Sequence, residues 1–109
     1  MKTMYGRKVF GYWKELPKES GWGVVTDEYS DFTKYKNTID KEKVIRHIES
    51  LGAGISSIYT HDIFTGEEFN SGIYLDGEFQ FPVDFLRYYK TKDIGIPYEY
   101  EAYLKEILE

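Results

Sequence analysis

The sequence contains no cysteine. This removes disulfides, thiolate nucleophiles and thiolate metal ligands together, and such a chain suits a reducing compartment. No apolar run reaches the roughly eighteen residues that a membrane-spanning helix needs. The first residues, MKTMYGRKVFGYW, show neither the apolar core nor the small-residue cleavage site of a signal peptide. The expected location is the cytoplasm.

Phosphate and metal motifs are missing as well. After Gly21 and Gly23, a G-x-G-x-x-G loop requires glycine where Thr26 stands. The calcium-loop pattern D-x-[DN]-x-[DN]-G does not occur. A divalent site built from Asp62, Glu67, Glu68 and Asp76 lacks any known ligand spacing, so no metal and no cofactor are expected. Histidine is scarce, at two residues. His47 falls one position off an apolar helical stripe and reads as a helix-surface residue. His61-Asp62 is the pair with acid–base interest, since a carboxylate can orient an imidazole. Adjacent residues of a strand point to opposite faces, however, which favours a structural role. The chain is expected not to be an enzyme.

Basic residues are absent from one long window. None occurs between Arg46 and Arg87, where Glu49, Asp62, Glu67, Glu68, Asp76, Glu78 and Asp84 lie. Residues 1–50 carry ten Lys/Arg against eight Asp/Glu, and residues 51–109 carry four against eleven. An acidic face repels phosphate and argues against direct nucleic-acid binding, but it steers a basic protein.

Aromatic side chains are plentiful. Eleven Tyr, seven Phe and two Trp in 109 residues imply a core made largely of rings, in one domain spanning 1–109. Trp13 sits in an apolar stretch and is expected in that core. Trp22, between Gly21 and Gly23, either anchors a partner or folds back as a lid.

Periodicity supplies the elements. Lys8 to Trp13 reads as a strand, Trp22 to Thr26 as a short strand, and Asp27 to Thr38 as irregular. Asp40, or Thr38 just upstream, caps a helix to Leu51, with Val44, Ile45, Ile48 and Leu51 on one stripe and Gly52 or Gly54 as its stop. Strands follow over 55–61 and 67–75, with an irregularity at Ser71-Gly72. Asp76-Gly77 is the expected type I′ hairpin turn into a strand ending at Pro82. Proline-started helices are predicted near 82–90 and 97–108. The fold class is α+β: a mainly antiparallel sheet with about three helices packed on one face. In the strand from Glu67 to Glu78, alternation predicts Glu68, Asn70, Asp76 and Glu78 outward and Phe69, Ile73, Leu75 and Phe79 inward.

Gly11-Tyr12-Trp13, then Asp76-Gly77, Phe79, Phe81-Pro82, Phe85 and Tyr88, then Ile94, Ile96-Pro97 and Tyr100, form a recognisable set. The chain thereby resembles a group of small bacterial proteins of immunity-protein type. That group has GYW near the start and D-G-x-[FY]-x-[WF]-P followed by L-P near the end. Phe81 stands where the group often has Trp, and Arg87 and Lys92 where it often has His. The matched residues are turn, proline and core types, so the resemblance implies a shared fold.

The expected function is a non-catalytic protein-binding module, an immunity-type inhibitor that neutralises a basic, nuclease-like bacterial toxin. Its expected partner-binding residues are Trp22, Asp62, Glu67, Glu68, Asp76 and Glu78. The alternatives are a phage-encoded inhibitor of a bacterial defence protein, a plain structural or regulatory subunit, or a small hydrolase using His61 and nearby carboxylates.

Overall fold

The computed structural model describes residues 1–16, 22–52 and 58–109. Strands β1 (Lys2–Met4), β2 (Arg7–Val9), β5 (Ile73–Asp76) and β6 (Phe79–Pro82) form one sheet in the order β1-β2-β6-β5. Strands β3 (Ile58–His61) and β4 (Glu68–Ser71) form a separate two-stranded sheet. The helices are α1 (Tyr29–Phe32), α2 (Lys41–Leu51), α3 (Val83–Thr91) and α4 (Tyr98–Leu108). The class is α+β with mainly antiparallel pairing, as expected; among the strands of the described residues, β2 and β6 are the pair that runs parallel.

The hairpin between β5 and β6 turns one residue later than the Asp76-Gly77 signal implies. Asp76 is the last ladder residue, opposite Phe79, and Gly77-Glu78 are the two loop residues. Among these only Gly77 has positive φ, +58°, the pattern of a II′ turn rather than I′. The shift matters because it sends the Asp76 side chain inward. The I′ pattern occurs instead at Tyr5-Gly6, φ +52° and +78°, where β1 turns into β2. That first hairpin was not legible, because tyrosine is not a left-handed residue by preference.

One face of the four-stranded sheet carries Tyr74, Asp76, Phe79 and Phe81, and α2, α3 and α4 all bear on it. Phe10 stacks on Phe81 at 4.8 Å, meets Phe85 edge-on at 5.3 Å and lies 5.3 Å from Tyr100. Trp13 is fully buried against Tyr88 and Phe32. Each such pair adds about 0.5–1.5 kcal/mol to the area it buries.

Other expectations change in detail. The first strand stops at Val9, because Gly11 turns at φ +89° and its N–H goes to the Asp27 carboxylate. Gly11 lies so close to Pro82 and Phe85 that a Cβ would sit 3.1 Å from each. Residues 22–26 form no strand, and Trp13 and Asp27 make only an isolated bridge. The stretch 27–38, expected to be irregular, contains α1, begun by a reciprocal Glu28–Asp31 capping box. Asp40 caps α2 and Gly52, at φ +70°, ends it; Gly54 and residues 55–57 of the predicted strand lie outside the described residues. Proline starts both later helices, at Pro82 and Pro97.

A carboxylate ties the middle of the chain to its end. Glu101 of α4 accepts from Thr38 N at 2.7 Å, Ile39 N at 3.1 Å and Asn37 Nδ2 at 3.1 Å. Burial opposes ionisation of Glu101, but these donors and Lys105 outweigh it and hold its carboxyl below the usual range. The bonds fix the segment that leads into α2.

Candidate interaction surface

The β3–β4 sheet stands on the outward side of α3. Its connecting turn is held by Asp62, whose Oδ1 accepts from Phe64 N at 2.7 Å and Thr65 N at 2.9 Å. Its Oδ2 accepts from Arg87 Nε at 3.0 Å. Burial raises the cost of charging Asp62, yet Arg87 and the two backbone donors win, so its carboxyl lies below the ordinary value. Arg87 also packs 4.3 Å over the Phe69 ring and reaches to 3.6 Å from Glu67. Tyr88, the next residue of α3, accepts from Ile63 N at 2.9 Å, and burial pushes its hydroxyl up to about 12. The turn is thus docked on α3 from both sides.

Alternation across the ladder puts Tyr59, His61, Glu68 and Asn70 on the outer face. Tyr59 is 57% exposed and Phe64, in the turn, 52%. The side chains of Glu67 and Glu68 are exposed on the same hairpin. His61 Nε2 lies 3.6 Å from Glu68, while Asp62 turns to Arg87, so the two neighbours in sequence enter different interactions.

The six residues expected to bind a partner therefore divide. Glu67 and Glu68 lie on this hairpin, exposed. Asp62 is buried beneath them and holds the turn. Glu78 is exposed, but at the other hairpin tip, 3.2 Å from Lys8. Asp76 is 4% exposed and does not face outward, which corrects the alternation expected for 67–78. The physical reason is the break at Gly72, where the chain leaves one sheet for the other. A one-residue slip exchanges the faces, so Tyr74 and Asp76 go in and Leu75, expected inside, is 51% exposed. Trp22 is half-buried: its ring meets Tyr12 edge-on at 5.2 Å and its Nε1 donates to Asp84 at 2.9 Å.

Asp76 is the centre of a buried network. It accepts from Tyr100 at 2.6 Å, Tyr103 at 3.0 Å and His47 at 2.8 Å, joining α2 and α4 to the sheet. His47 is accordingly not a free surface residue. Tyr100 is pushed far above the usual phenol range, first by burial and then by Asp76.

Every carboxylate of the basic-free window finds a partner in space. Glu49 meets Lys90, Glu78 meets Lys8, Asp62 and Glu67 share Arg87, and Glu68 approaches His61. Asp84 takes Ser71 and Trp22 as donors. The sequence window is acidic; the folded surface is partly neutralised by bases from outside it. Among the described residues no three His, Asp or Glu side chains come together in a way that could hold a metal ion. No helix of the described residues is long and apolar enough to cross a membrane. Compared with protein-family models, curated proteins and solved structures, the chain matches none.

Proposed function

We propose that this chain is a non-catalytic protein-binding module of immunity type, which neutralises a basic, nuclease-like bacterial toxin in the cytoplasm. The observation that carries the reading is the β3–β4 hairpin, which carries two aromatic rings more than half exposed, Tyr59 on its outer face and Phe64 in its turn against Tyr29 and Tyr88, and the exposed carboxylates of Glu67 and Glu68. Exposed rings flanked by charge are the usual composition of a protein-binding patch, the rings giving contact area and the charges orientation. The hairpin is also rigidly mounted through Asp62, Arg87 and Tyr88, so little ordering is required on binding.

In this reading Asp62 and Asp76 support the fold instead of touching the partner, and Glu67, Glu68 and the two rings make the contact. The 3.6 Å distances from Glu67 to Arg87 and from Glu68 to His61 are loose, which leaves both carboxylates free to turn to a cation on the partner. A toxin domain is expected to be encoded beside this gene, and the test is coexpression with that domain. Wild type restores growth, whereas Tyr59→Ala combined with Phe64→Ala does not, while remaining folded. Full rescue by that variant would refute the assignment of the surface.

A further inference from the structure

The four-stranded sheet ends at β5, where the backbone has one side without a partner. Lys8 N donates to Glu78 O at 2.7 Å and Phe10 N to Gln80 O at 3.1 Å, so Glu78 and Gln80 turn their carbonyls toward β2. Phe79 and Phe81 alternate with them and turn theirs toward β5, opposite Asp76 and Tyr74. Ile73 and Leu75 in turn alternate with Tyr74 and Asp76, and direct their N–H and C=O groups away from β6. Ile73 stands opposite Pro82, which has no N–H to offer. Among the described residues neither backbone makes a hydrogen bond beyond the ladder.

Sheet edges are commonly guarded by a charge-bearing side chain that keeps a further strand away. Lys2 stands on β1, His61 on β3 and Glu68 on β4. Length does not set β5 apart, since β3 and β4 also have four residues. What differs is where its side chains point. Tyr74 and Asp76 are buried on the inner face, and Ile73 and Leu75 share the outer face, with Leu75 half exposed. The one charge of the strand is thus turned into the Asp76 network, and the outer face of the edge is apolar. The charges acting on Tyr74, Glu49 and Lys90, already pair with each other at 2.9 Å.

An edge without charge does not select a cationic partner, but this one complements itself. When β5 runs antiparallel to a copy of itself about a twofold axis at Tyr74, Ile73 faces Leu75 of the second copy and Leu75 faces its Ile73. That register joins every outward N–H and C=O of the two residues in backbone bonds between the copies. It also sets two Ile–Leu pairs on the outer face and places Gly72, which has no side chain, opposite Asp76. We infer that β5 is a dimerisation edge, through which two copies of this chain merge their four-stranded sheets into one. The inference does not depend on what the β3–β4 hairpin binds.

The experiment uses the full chain alone. A pairing this short makes a weak dimer, so sedimentation equilibrium is run up to about 1 mM. A monomer–dimer equilibrium is expected. Amide exchange at Ile73 and Leu75, followed by NMR, should slow as concentration rises, while exchange at Tyr59 and His61 on the β3 edge stays unchanged. Leu75→Lys replaces an exposed side chain and should weaken dimerisation about thirtyfold or more, because a twofold axis counts each lost contact twice. Ile73→Lys should act in the same direction and carries the test independently if Leu75→Lys folds poorly. A chain that stays monomeric throughout, a dimer in which the Ile73 and Leu75 amides are unprotected, or undiminished dimerisation in both variants would overturn the inference.

Discussion

Replacing Asp76 by alanine removes the acceptor for three hydrogen bonds at once. Tyr103 is half-buried and can turn to water, so its bond is the smallest loss. Tyr100 is fully buried, and the side chain of His47 is 16% exposed; each is left with a donor facing no acceptor. At about 1–3 kcal/mol for a stranded buried donor, the two together cost roughly 3 kcal/mol. For a domain of this size that lowers Tm by about 10 °C or more. Urea unfolding followed by circular dichroism measures the loss, and an unchanged m-value shows that the folded state is intact. Asp76→Asn should cost less, about 1–2 kcal/mol. Its oxygen still accepts from Tyr100 and His47, and its amide can donate to the Tyr103 hydroxyl. Adding Tyr100→Phe to Asp76→Ala should recover part of the loss, because it removes the stranded hydroxyl. An Asp76→Ala cost below about 1 kcal/mol, or an asparagine variant no better than alanine, would refute the network.

Other outcomes follow from single contacts. Asp62 and Glu101 have depressed folded-state carboxyls, so the stability they confer is full at neutral pH and is lost as pH falls below about 4. Glu101→Gln should lower stability at pH 7 and flatten the acid side of a stability–pH curve measured by urea unfolding. Gly95→Ala should cost about 1–3 kcal/mol in the same assay, since its Cβ meets Asn37 and Tyr35 inside contact distance. Tyr5→Asn should stabilise by roughly 0.5–1 kcal/mol, because Tyr5 holds φ +52° while 98% exposed and asparagine tolerates that conformation better.

The helices were legible because their signals are local. Asp40 as a cap, the prolines at 82 and 97, and the 3.6-residue stripes each depend on residues a few positions apart. The Asp76-Gly77 signal located the hairpin, yet placed its loop one residue early, and that residue decides whether Asp76 faces water or core. The parallel pairing of β2 with β6 joins Lys8 to Phe79, a long-range contact that no local pattern announces. The same limit explains the acidic window. Lys8, Arg87 and Lys90 lie outside it in sequence and reach into it only through the fold. Glu67 and Glu68 are legible as exposed carboxylates, whereas Tyr59 and Phe64 carry no local signal of exposure, since an exposed ring and a buried one look alike in a sequence rich in aromatics.

The central claim is that the β3–β4 hairpin engages a basic protein. Its most direct test is the association rate with the toxin domain as a function of ionic strength, for wild type and for Glu67→Lys/Glu68→Lys. These are exposed positions, so stability should stay within about 0.5–1 kcal/mol even with Arg87 beside a new lysine. The account predicts fast, strongly salt-dependent association for wild type and a slower, flatter dependence for the variant. Equal rates at low salt for the two proteins would contradict it.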